Sequence, residues 1–81
     1  MTPAQCRAAR ALLEMTQSQL AEKARLGLST VVDFERGRRQ VSEEAIGTIR
    51  LALEDSGIEF LSENGGGEGL RLRTRRRTKR K

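Results

Sequence analysis

Ser29 and Asp33, with Leu28 and Val32 beside them, share the outer face of one short segment, and Arg36, Arg38 and Arg39 follow directly. A hydroxyl can donate or accept at a base edge, a carboxylate can accept from the amino group of cytosine, and branched apolar side chains can touch a thymine methyl. Guanidinium groups next to such a face can hold phosphates. The chemistry implied is recognition of an anionic polymer, with no covalent bond made or broken.

The rest of the composition excludes most other classes. The chain has no His, Trp or Tyr and a single cysteine, Cys6, so neither a disulfide framework nor a Cys/His zinc set can be built. No general acid–base constellation is visible, so an enzyme, a metal site and a cofactor are not expected. Asn64-Gly65-Gly66-Gly67 lacks the following Lys-Ser/Thr of a phosphate loop. Cys6, on the inner stripe of a helix, reads as a core residue. The N-terminal MTPAQCRAARALL has no signal-peptide core, and no apolar run reaches bilayer length. The expected setting is a reducing cytoplasm with no membrane contact.

Eighty-one residues leave room for one domain with a small core. The net charge of +5 is unevenly placed: 8 of the 16 basic residues and none of the 11 acidic ones fall in 71–81, so residues 1–70 sum to −3. If a domain of that sign binds an anionic polymer such as DNA, it must do so through a local basic face rather than through overall charge.

The elements that must hold the outer face can be read from local signals. Thr2-Pro3 starts a first helix, a hydroxyl N-cap followed by proline where its missing N–H is harmless. It runs to about Glu14 and sets Cys6, Ala9, Leu12 and Leu13 close to one face. Thr16 with Gln19 is a capping box for a second helix, and Met15 with Leu20 is the hydrophobic staple. Leu20, Ala21 and Ala24 form its apolar stripe. Arg25-Leu26-Gly27 makes a turn in which Gly27 is a permissive N-cap. A third helix follows, with Val31 and Phe34 inward and Gly37 as its stop. Ser42 caps a fourth helix, Glu43 and Glu44 match its dipole, and Ala45, Ile46, Ile49, Ala52 and Leu53 face the core up to Gly57. Alternation over Ile58–Ser62 and Leu70–Arg73, around a glycine-rich turn at 63–69, predicts a β-hairpin. The remaining TRRRTKRK has no apolar residue and is expected to be disordered. Two short helices joined by a tight turn, with a basic loop after the second, are the layout of a helix-turn-helix, which points to duplex DNA.

The stretch TQSQLAEKARLGLSTVVDFERGRRQ resembles the Cro/repressor-type (Xre-like) helix-turn-helix proteins of bacteria and phages, over roughly residues 4–57. The whole chain, with GIEFLSENGGGEGLRL, is similar to a short bacterial subgroup carrying a C-terminal hairpin. The resemblance implies phosphate contact at Gln17 and Ser18, base contact by Leu28, Ser29 and Asp33 with Thr30 and Val32 beside them, and phosphate contact by Arg36, Arg38 and Arg39. It also implies a structural ion pair between Arg10 and Glu35. Three departures stand out: relatives usually have Gly where this chain has Arg25, Ser or Thr where it has Gly27, and often a polar or basic side chain where it has Leu28.

The expected architecture is therefore mainly α. A compact four-helix, repressor-like DNA-binding domain covers 1–57, with helices at about 3–14, 17–24, 28–36 and 43–55. A short β-hairpin covers 58–73 and a disordered basic tail 74–81. The expected activity is sequence-specific binding of double-stranded DNA by a cytoplasmic, nucleoid-associated transcriptional regulator of repressor type. Helix 28–36 would sit in the major groove. Ile58, Phe60, Leu70 and Leu72 are candidate dimer contacts for a homodimer, or alternatively pack on the chain's own fourth helix. Asp33 either reads a base or pairs with Arg36. The alternative function is an antitoxin-like or other protein-interaction module that binds DNA together with a partner protein.

Overall fold

Thr2 opens α1 (Pro3–Leu13) in the computed structural model, which describes residues 1–38, 40–61 and 69–73. Its hydroxyl accepts from Gln5 N at 3.1 Å, and Gln5 Oε1 accepts from Thr2 N at 2.8 Å, so the N-cap is a full capping box. Thr16 repeats the device for α2 (Gln17–Ala24), with bonds of 3.0 and 2.9 Å to and from Gln19. Met15 packs against the core that holds Leu20, as a staple requires. The third helix, α3 (Leu28–Arg36), starts at Gly27 without a side-chain cap and ends at Gly37, whose φ of 64° suits glycine. Ser42 caps α4 (Glu43–Asp55) through a 3.1 Å bond from Ala45 N. Gly57, at φ 117°, turns the chain out of α4, a conformation closed to residues with a Cβ.

Glu14 and Arg25 end α1 and α2 in the left-handed region, at φ 54° and 58°. A side chain there costs about 1–2 kcal/mol, while glycine loses about 0.4–1 kcal/mol through a freer unfolded chain. Arg25→Gly is therefore expected to stabilise the domain by about 0.5–1 kcal/mol. Thermal unfolding checks this, and an unchanged or lower midpoint refutes the strain.

Strands β1 (Ile58–Leu61) and β2 (Gly69–Leu72) pair antiparallel, with Ile58 opposite Leu72 and Phe60 opposite Leu70. The second strand starts one residue earlier than the alternation predicts, because Gly69 pairs with Leu61. Ser62, the rest of the expected turn (63–68), the tail at 74–81 and Arg39 lie outside the described residues.

The core joins all these elements: Cys6 and Ala9 from α1, Leu20, Ala21 and Ala24 from α2, Val31 and Phe34 from α3, Ile49, Ala52 and Leu53 from α4, and Ile58 from β1. Ala21 and Ala24 of α2 are buried in the core where α2 meets α3, and small residues at such a contact allow the helices to approach closely. Leu12, expected on the inner face, is 45% exposed. At 3.6 residues per turn it lies roughly a quarter turn from the Cys6–Ala9–Leu13 stripe. The hairpin shares this core: β2 lies against α1 and β1 against α4. Arg73 fastens the end of β2, donating from N to the Gly57 carbonyl and from Nη2 to the Glu54 carbonyl, both at 2.7 Å. The Arg50 guanidinium sits 4.9 Å from the centre of the Phe60 ring. Of the four candidate dimer residues, Ile58 is wholly buried within the chain, Phe60 and Leu70 are half-buried against the core, and Leu72 is 43% exposed. Packing on the chain's own helices thus takes Ile58 out of any surface between copies. No helix among the described residues is long and apolar enough to cross a membrane.

Candidate nucleic-acid interface

Val31 and Phe34 turn one side of α3 into the core, and the opposite side is left to solvent. Leu28 is 46% exposed, Ser29 and Arg36 are exposed, and Thr30, Val32 and Asp33 are half-buried along the same helix. Arg38, just past the end of α3, is exposed. The five residues expected to face bases thus lie on one helix, and two of the three expected phosphate arginines stand at its end. Ser18 is exposed on the first turn of α2.

The position of α3 is fixed from behind by Glu35, the one buried charged residue among the described ones, with a side chain 1% exposed. Its carboxylate meets Arg10 as a fork: Arg10 Nε to Oε2 and Nη2 to Oε1, both 2.7 Å. Cys6 Sγ donates to Oε2 at 3.0 Å, and Gln17 Nε2 donates to Oε1 at 3.0 Å. Arg10 also donates from Nη1 to the Met15 carbonyl at 3.1 Å. One carboxylate therefore ties α1, the α1–α2 turn and the start of α2 to α3. Burial alone would raise the Glu35 pKa, but the hydrogen bonds from Arg10, Cys6 and Gln17 outweigh it and hold the group below the usual carboxylate range. The bond to Glu35 raises Arg10 above its ordinary value against the cost of its own burial. Burial first, and then the bond to Glu35, push the Cys6 thiol far up, so it stays protonated as a donor.

The Arg10–Glu35 pair expected from the resemblance is present. The participation of Cys6 and of the Gln17 side chain was not foreseen. Gln17, expected at a phosphate, commits one amide N–H to Glu35, while its backbone N–H stands at the first position of α2. Between α1, α2 and the end of α3 runs an open cleft whose lining includes Arg7, Glu14, Thr16, Gln17, Arg36 and Arg38. Arg7 was missed by sequence reasoning. The available signal was its spacing of three from Arg10, which puts both on one face of α1. Among the described residues no group of three or more His, Cys, Asp or Glu is placed to hold a metal.

A short helix packed against another at small residues, presenting a mixed polar and apolar face and flanked by arginines, has the layout of a helix-turn-helix DNA-binding domain. The helix-turn-helix family model matches residues 7–54, and the chain belongs to this Cro/repressor-type (Xre-like) family. Members bind double-stranded DNA and regulate transcription, and the chain is a DNA-binding regulator of that kind. Comparison with curated proteins gave no match.

Proposed function

We propose that the protein is a sequence-specific, repressor-type regulator that places α3 in the major groove and binds as a homodimer. The observation that carries this reading is the outward face of α3, with Leu28 and Ser29 exposed, directly beside the exposed Arg36 and Arg38. Leu28, Ser29, Thr30, Val32 and Asp33 take the base edges. Gln17, Ser18, Arg36, Arg38 and Arg39 take phosphates. The readout face carries no Arg, Asn or Gln for a bidentate base contact, so specificity is modest and leans partly on DNA shape.

One helix-turn-helix alone buries little surface, and a two-fold pairing of copies doubles it. Both strands of the hairpin are edges, and Leu61 and Leu72 are exposed on them at 38% and 43%. These features support pairing of copies through the hairpin. The exposed apolar side chains on this end also suit a protein partner, as in an antitoxin-like module.

Selection of random duplexes by the full chain at physiological salt tests the reading. The expected result is one two-fold motif with half-sites about one helical turn apart. Enrichment of a single half-site rejects the homodimer. Failure to enrich any sequence overturns the independent sequence-specific reading in favour of the partner-dependent one.

A further inference from the structure

We propose that Arg7, on α1, is a phosphate-contacting residue of the DNA interface, held in place by the backbone of α3 itself. The inference rests on the DNA-binding reading above. The two arginines of α1 have different fates. Arg10 is neutralised by the fork to Glu35. Arg7 donates through Nη1 to the main-chain carbonyl of Glu35, and no carboxylate among the described residues pairs with it. A carbonyl near the C-terminal end of a helix is a partly negative acceptor with no following turn to satisfy it, so it fixes a guanidinium without cancelling its charge.

The pinned group lines the cleft together with Arg36, Arg38 and the N-terminus of α2 at Thr16 and Gln17. Two carboxylates also line this cleft. Glu35 is spent on Arg10, and Glu14 remains as the only other carboxylate in this lining. Four guanidinium groups line the cleft, and with Arg10 paired to Glu35 a phosphate entering there meets the other three, Arg7 and Arg36 from two different helices and Arg38 from the loop after α3. Such an arrangement senses the angle between α1 and α3 as well as the charge of the strand. Arg7 thereby couples the fold's internal lock to the seating of the strand: the same residue whose carboxylate binds Arg10 supplies the carbonyl that aims Arg7.

The test uses the full chain, a mixed-sequence duplex and affinity measured against salt. Arg7→Gln keeps an N–H donor and removes the charge. It is expected to weaken binding about tenfold, equally for any sequence, and to flatten the dependence of log K on log salt by about 0.9. Arg7→Lys is expected to restore the slope. An Arg7→Gln protein with an unchanged slope, or an Arg7→Lys protein that lacks it, overturns the proposal and leaves Arg7 as a helix cap only. Arg38→Ala separates this inference from its basis. If Arg38→Ala lowers affinity and slope and Arg7→Gln does not, Arg7 alone is misassigned; if neither variant changes them, the DNA face itself is wrong. Should Arg7→Gln not fold, the Arg7 Nε–H resonance of the unaltered protein decides: a shift on addition of the duplex supports contact, and its absence rejects it.

Discussion

Arg10→Met will unfold this domain more readily than any surface change, by about 3–5 kcal/mol at neutral pH, the range for removing one partner of a buried ion pair. The thermal midpoint should fall by roughly 15–30 °C in a domain this small. The cause is what remains rather than what is lost. Glu35, with its side chain 1% exposed, would keep a negative charge answered only by Cys6 and Gln17. The two proteins then respond to pH with opposite sign at this site. In the unaltered chain the folded pKa of Glu35 lies below its unfolded value. Its contribution is present above about pH 4.3 and is lost as the pH falls through the lower, folded value. In Arg10→Met, burial without a cation raises the folded pKa. Stability is then retained below the unfolded value and lost as the pH rises through the folded one. The gap between the two proteins should therefore narrow from pH 7 to pH 4. Denaturant unfolding at both values checks it, and an equal deficit at both would falsify the account.

The lock also shows why parts of this molecule can be read from its residues and others cannot. Thr16 and Gln19, Ser42, Gly27 and Gly37 act within one turn of chain, so their type and spacing alone announce where helices begin and end. Each does so in the structure. The family resemblance supplied the Arg10–Glu35 pair. Cys6 and Gln17 join it only because α1 and α2 converge on the same carboxylate, across separations of 29 and 18 residues. No local rule carries that information. Leu12 differs for a smaller reason: a hydrophobic side chain need not be buried, and its position on the helix turns it away from the Cys6–Ala9 stripe. The hairpin alternation located both strands, but alternation cannot say whether an apolar face meets its own helices or another copy. Ile58, with no exposed surface, answers for itself and leaves Leu72 outside. Arg25 shows the converse case. A glycine position is filled by a larger residue, and the backbone still takes the left-handed conformation the turn demands, at φ 58°.

Ser29→Glu will separate recognition from folding. Ser29 is exposed on the first turn of α3 and touches none of the Glu35 contacts. A carboxylate in a first turn interacts favourably with the helix dipole, so folding stability should be unchanged or higher by about 0.3–1 kcal/mol. On DNA the same charge faces phosphates across the groove and the acceptor atoms of most base edges. Like-charge juxtaposition at an interface costs several kcal/mol, so affinity should drop by at least about a hundredfold. Ser29→Ala is the mild companion. It removes one neutral hydrogen bond, worth about 1 kcal/mol or roughly a fivefold loss, confined to the base pair that Ser29 reads. The pair of variants therefore distinguishes a face inside the groove from one that merely lies near the strand. Near the strand, salt screens the added charge, so the loss in Ser29→Glu would shrink steeply as ionic strength rises. Inside the groove, desolvation of the carboxylate without a partner persists at any salt. Circular dichroism and thermal unfolding, set beside binding curves at low and high salt, measure both halves of the claim. A folded Ser29→Glu protein that binds within about threefold of the unaltered chain would place the DNA on a different surface from the outward face of α3.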